Sequence, residues 1–320
     1  TTKATKLAKC STHVSHLTSK ITQLLAQVTM PSPPIRAIAT SFSLSHFTIS
    51  STILLPTRPL KMQSTTASSE ATPSQKIFVA GATGATGKRI VERLLAKGYE
   101  VKAGVRDVEK AKTSFPTNNP SLQIVKADVT AGASKLAEAI GDDSSAVICA
   151  TGFRPGLDPF APWKVDYSGT INLVDACRTR SVKRFVLVSS ILVNGAAMGQ
   201  ILNPAYIFLN VLGLTLVAKL QAEKYVRKSG INYTIIRPGG LRNEPPAGNL
   251  VMESEDKLSS GSVSRDTVAD VAVEALGSND SFFKVVEIVS RDDAPTRTID
   301  ELFRSVEPRG ESEKPGSCGR

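Results

Sequence analysis

Lys76-Ile77-Phe78-Val79-Ala80-Gly81-Ala82-Thr83-Gly84-Ala85-Thr86-Gly87-Lys88-Arg89-Ile90 decides the fold. A short apolar run ends in three glycines spaced by three, and a helical pattern starts at once. Val91, Leu94 and Leu95 follow Ile90 at i+1, i+4 and i+5, a one-sided apolar stripe of helical period. The stretch therefore reads as strand, tight turn and helix N-terminus. Such a turn points several backbone N–H groups and the positive end of a helix dipole at one place, where a phosphate can sit. Glycine serves where a side chain would block the turn or the close approach of a pyrophosphate. Gly81, Thr83, Gly84, Ala85, Thr86 and Gly87 are thus candidate cofactor contacts. The bland alternative, an ordinary glycine-rich loop, lacks the flanking strand and helix.

Around this stretch, short apolar runs alternate with helical patterns, which predicts βαβ units and a doubly wound, Rossmann-type parallel sheet. Strands are expected at Lys76–Gly81, Tyr99–Arg106, Leu122–Val129, Ala146–Ala150, Arg184–Ser189, Tyr233–Arg237 and Lys284–Val289. Helices are expected at Gly87–Lys97, Val108–Ser114, Ser134–Ile140, Asp166–Arg180, Val263–Leu276 and Ile299–Val306. Residues 241–262, with Pro245, Pro246 and Gly248, read as a small loop or hairpin excursion on the substrate side. Residues 73–306 form one domain in this reading, followed by a polar tail, 307–320.

The net charge of +10 sits mostly outside that domain. Residues 1–69 hold seven Lys/Arg and no acid, leaving 32 basic and 29 acidic side chains, a net of +3, in 70–320. With 25 Ser/Thr among those 69 residues, the stretch 1–72 reads as a chloroplast transit peptide, against a tail of no address. The near-neutral remainder, with no aromatic-basic patch, argues against nucleic-acid binding. All three histidines (His13, His16, His46) lie in the leader, which removes Ser-His-Asp and Cys-His catalysis and His-ligated metal from the domain. Cys149 and Cys177 read as buried thiols of a reducing compartment.

The end of the second strand sets the dinucleotide. An acid there binds a ribose 2′-hydroxyl, whereas a base accommodates the 2′-phosphate of NADP. Arg106 and, one turn on, Lys110 favour NADP; Asp107 would favour NAD if it pointed inward. Lys110 is equally readable as part of a solvated helix face. Other strand ends converge on the same crevice: Asp128 and Val129 after the third, Ala150, Thr151 and Gly152 after the fourth, Ser189 and Ser190 after the fifth, and Arg237, Pro238 and Gly239 at the sixth. Lys219 lies on a long helix reaching Lys228. From Phe185 to Ala218 there is no charged residue. That segment reads as a loop plus a buried helix; the sharper alternative is the apolar wall of a substrate pocket, or a membrane-surface contact.

With Gly81–Gly87, Val188-Ser189-Ser190 and Ile236-Arg237-Pro238-Gly239-Gly240, residues 73–306 resemble the atypical short-chain dehydrogenase/reductases. That group holds plant phenylcoumaran reductases, flavin reductase-like proteins and NmrA-type regulators. The resemblance is nearest to plant chloroplast proteins similar to the redox subunit of the inner-envelope import translocon. It implies a plastid address, stroma or plastoglobule, with peripheral contact to a plastid membrane or lipid droplet. The short C-terminal tail lacks room for the repeats by which that subunit holds ferredoxin–NADP reductase, so that partner is not expected. In active members a Tyr-x-x-x-Lys pair handles the proton, with a serine orienting the substrate. Lys219 matches the lysine and Ser190 the serine (a strand-end cap being the alternative), but Thr215 stands where the tyrosine is expected. Tyr206 could reach the pocket from elsewhere, core packing being the simpler reading. The resemblance implies an NADP(H)-dependent oxidoreductase of a small apolar quinone-, flavin- or enone-like substrate. The departure at Thr215 supports a different reading, a catalytically weak NADP(H)-binding sensor or scaffold.

Overall fold

The computed structural model describes residues 75–307 except 116, 117, 154, 155, 157, 212, 246 and 247. The leader and the tail beyond Glu307 lie outside the described residues. In chain order the elements are β1 (Lys76–Ala80), α1 (Ala85–Ala96), β2 (Glu100–Val105), α2 (Val108–Lys112), β3 (Leu122–Lys126), α3 (Ala133–Ile140) and β4 (Ser144–Cys149). A π-helical turn, Trp163–Ser168, then leads into α4 (Gly169–Thr179), followed by β5 (Arg184–Val188), α5 (Pro204–Val211), α6 (Thr215–Lys228) and β6 (Asn232–Pro238). The chain ends with β7 (Gly240–Arg242), β8 (Asn249–Ser254), β9 (Ser262–Ser264), α7 (Arg265–Gly277), β10 (Lys284–Arg291) and α8 (Ile299–Ser305).

Seven parallel strands and one antiparallel strand form a single sheet in the order β3-β2-β1-β4-β5-β6-β10-β8. The order reverses between β1 and β4, the place where doubly wound sheets open a crevice at their carboxyl edge. β1 shows why both faces are covered. Ile77 and Val79 join the cluster under α1 and α7, while Phe78 and Ala80 join the one under α3, α4 and α6. None of the four is more than 2% exposed, so the strand is apolar throughout rather than alternating.

Three expectations shift. The first helix starts at Ala85, two residues before Gly87, because Gly84 takes an extended conformation and acts as its N-cap. The excursion contains β8, which adds an antiparallel edge strand to the main sheet, and β7 and β9, which pair with each other. The uncharged segment is only half buried. Ile191, Leu192 and Val193 enter a third core cluster, but no residue of α5 is buried: Phe208 is 67% and Val211 74% exposed, with Leu202 just ahead at 86%. Absence of charge did not distinguish a core helix from an exposed apolar one.

α1 and α7 run parallel and are tied by charge. Arg89 and Arg93 both reach Asp266, Arg93 also bonds Asp270, and Lys97 meets Glu274. The four-residue spacing of each set places all of them on one stripe per helix. Among the described residues no single helix is long and apolar enough to cross a membrane.

Candidate functional site

The glycine turn presents backbone rather than side chains. Gly81 has φ +77°, and a Cβ there would stand 2.9 Å from the Ala150 carbonyl oxygen. A Cβ on Gly87 would overlap the Gly81 carbonyl oxygen, so the first turn of α1 can cross β1 this closely only with glycine. Gly84 donates its N–H to Gly81 O (2.9 Å) and, as N-cap, offers no side chain to the helix start. The N–H groups of Ala85, Thr86 and Gly87 therefore open the helix uncapped, the arrangement that suits an anion.

Beside this turn lies a cleft of about 270 Å³. It is lined by Gly81, Thr83 and Gly84 of the turn, Arg106 at the end of β2, Asp128 and Val129 after β3, and Ala150, Thr151 and Gly152 after β4. Four separate strand ends predicted from sequence thus meet at one place. Phe153, Ala161 and Val165 also line it; nothing in the local sequence singled them out. Asp107 is turned away: its carboxylate accepts the Lys110 N–H (3.0 Å) as N-cap of α2. Lys110 is exposed on α2 and does not line the cleft. Asp128 also caps a turn, accepting from the Thr130 N–H (2.9 Å) and hydroxyl (2.8 Å).

At the β4–β5 end the structure adds a residue that sequence reading placed only as a helix start. Lys219 Nζ donates to Asp166 Oδ1 at 2.7 Å, with the lysine side chain 17% and the aspartate side chain 1% exposed. The second carboxylate oxygen accepts from the Phe153 N–H at 3.3 Å. Thr151, Thr170, Ser189 and Lys219 surround a small void beside Asp166. Burial by itself would lower the Lys219 pKa, but the Asp166 charge and hydrogen bond outweigh it, and the ammonium is held above its ordinary value. Cys149, 3.2 Å from the Thr151 hydroxyl, is buried and free, and burial pushes its thiol up. Cys177 is buried and free as well.

Arg237 does not face the crevice. It is 1% exposed and bonds Glu223 (2.7 Å), Asp256 (2.8 Å) and Glu287 (3.2 Å). Arg227 extends the cluster to Glu255 (2.5 Å), and the Ser189 hydroxyl donates to Glu223 (2.6 Å). Ser190 is half-buried at the end of β5, and Pro238 and Gly239 are buried at the end of β6; none of the three lines the cleft. Gly239 packs instead against Gly261 and Val289. Among the described residues no cluster of His, Cys, Asp and Glu is arranged to hold a metal ion.

The glycine turn and the strand-end cleft match a known family: a model described as NAD(P)H-binding fits residues 81–279. The chain belongs to the NAD(P)H-binding family. Its residues fit a nicotinamide dinucleotide, since the uncapped N-terminus of α1 offers free donors of the kind that suit a phosphate. An uncharacterised chloroplastic protein of Arabidopsis thaliana is 73% identical over 236 residues, spanning 74% of this chain and 84% of that protein. The chloroplastic protein TIC 62 of Pisum sativum is 34% identical over 251 residues, 72% of this chain but only 46% of TIC 62, so the match spans about half of that relative. Among solved structures, the oxidoreductase ylbE of Lactococcus lactis superposes with a TM-score of 0.59 at 28% identity, covering 72% of this chain and 96% of ylbE. The anaerobilin reductase ChuY of Escherichia coli O157:H7 shares the fold at 23% identity and TM-score 0.55, over 69% of this chain and all of ChuY.

Proposed function

We propose that the protein is an NADP(H)-dependent oxidoreductase of plastids, passing hydride to a small, largely apolar acceptor of quinone, flavin or enone type. The observation that carries the cofactor choice is the pair at the end of β2: Arg106 lines the cleft while Asp107 is spent capping α2. A guanidinium there can meet a 2′-phosphate with two parallel donors, and the neighbouring Asp107 carboxylate is turned away from the ribose position. The reduced cofactor supplies the hydride. The chain's own residues bind it through the α1 N-terminus, orient its ribose through Lys219, and leave Lys219 or water to furnish the proton. The chloroplastic relatives support the plastid address. The exposed apolar face of α5 supports peripheral contact with a plastid membrane or lipid droplet.

Thr215 favours a second reading. It occupies the position four residues before Lys219, is 4% exposed, and is a far weaker acid than tyrosine. A protein that binds NADP(H) tightly but turns over slowly, changing partners with occupancy, fits that residue. Titration of the full chain with NADPH and NADH, followed by fluorescence of Trp163 in the turn that flanks the cleft, tests the cofactor. NADPH is expected to bind at least about tenfold more tightly than NADH, and Arg106→Ala to abolish the difference. Unchanged NADPH affinity in Arg106→Ala would remove the assignment. Oxidation of NADPH with quinone, flavin or enone acceptors then separates enzyme from sensor.

A further inference from the structure

Asp166 is a nearly fully buried carboxylate at the cofactor end of the crevice, and its position depends on an unusual piece of backbone. The turn Trp163–Ser168 is π-helical, and such wide turns move a side chain off the register of the helix that follows. The turn is anchored from both ends. Thr170 returns its hydroxyl to the Asp166 carbonyl (2.7 Å), and Trp163 and Tyr167 stack edge to face at 5.6 Å. The carboxylate is thereby delivered under the loop after β4, where the Phe153 N–H takes one oxygen and Lys219 the other.

The lysine has little else to balance it. Facing it are Asp166 from the π-turn, Cys149 of β4, Thr151 after β4, Thr170 of α4 and Ser189 after β5. On its own helix, one turn on, Glu223 is committed to Arg237 and Ser189. A buried ammonium without a counter-charge gives up its proton readily.

We infer that Asp166 is a positioning residue of the cofactor site, whose carboxylate tethers the Lys219 ammonium at the end of β4 and keeps it charged for the dinucleotide. This rests on the reading of the crevice as an NADP(H) site. The tether couples two elements distant in sequence, the π-turn and α6, through a single 2.7 Å bond. It also gives this site a lysine whose charge is independent of pH over the working range.

The test is NADPH affinity of the full chain against pH. Wild type is expected to bind about equally from about pH 7 to about pH 9.5, because the ammonium stays protonated throughout. In Asp166→Asn the lysine loses its counter-charge, and affinity is expected to fall about tenfold or more across the same interval. Asp166→Asn with Lys219→Arg, whose cation does not titrate there, is expected to restore a flat profile. A uniform loss in Asp166→Asn with no pH dependence would overturn the inference. So would a pH-dependent loss that persists with Lys219→Arg. If Asp166→Asn fails to fold, the Lys219→Met background decides. There the carboxylate has no cation to serve, and Asp166→Asn is expected to be harmless; unfolding in that background too would make Asp166 structural. Wild type failing to bind NADPH would instead overturn the cofactor reading itself.

Discussion

At the carboxyl ends of β1 to β4 the site is made of backbone and small side chains, with the Gly81–Gly87 turn, Ala150 and Gly152 leaving room for a ligand. At β6 and β10 the same sheet is organised around charge: Arg237 and Arg227 sit among Glu223, Glu255, Asp256 and Glu287, and Glu223 and Glu287 are fully buried. Glu287 is the hub of that half. It accepts the N–H groups of Asp256, Lys257 and Leu258 at 3.0, 3.0 and 2.6 Å, which pins the excursion to β10. Burial pushes the Glu287 carboxyl up, while those N–H groups and Arg237 pull it back toward the charged form. One half therefore keeps its strand ends open with backbone and small side chains, and the other holds its shape by saturation.

Removing a charge from the saturated half is expected to have the largest effect. Arg237→Met strands two buried carboxylates and should cost about 3–5 kcal/mol in urea unfolding, with loss of order in 255–258. A cost below about 1 kcal/mol would mean that the cluster is solvated and the contrast between the halves is false. Filling the open half should cost less stability but more function. Gly87→Ala forces its methyl against the Gly81 carbonyl, an overpacking of about 1–3 kcal/mol, and should abolish detectable NADPH binding. Retained affinity would show that the turn is not the phosphate cradle. The smallest effect lies at the opposite, amino edge of the sheet. There Asp143 is held at about 2 by hydrogen bonds from Lys102 and Lys76. Its folded-state pKa is below the unfolded one, so its contribution is present above about pH 4 and lost as pH falls through about 2. Asp143→Asn should lower stability modestly at neutral pH, where the contribution is present, and change little below about pH 2, so that the acid limb of a stability-against-pH curve flattens.

The open half was the legible one. Glycine spacing, the Arg106 strand end and the small residues after β4 are local signals, and each predicted a lining position that the cleft contains. The saturated half was not legible, because Arg237 reads as a strand-end residue until Glu223, fourteen residues earlier on α6, and Glu287, fifty later on β10, are brought against it. Asp166 was hidden for a related reason: its helical pattern is ordinary, and only the π-turn aims it at Lys219. The segment 185–218 misled in the opposite direction, since composition records the absence of charge but not which side of a helix meets the core. Within α5, Tyr206 and Leu209 pack on the third cluster while Ile207, Phe208 and Val211 stay outside.

The stripe of ion pairs between α1 and α7 sets the register of one helix on the other. Its rungs repeat every four residues on both helices, and Arg93 bridges two of them by reaching Asp266 and Asp270 at once. The start of α1, where Gly84 is the N-cap, is thereby tied along the length of α7 as well as to the sheet beneath it.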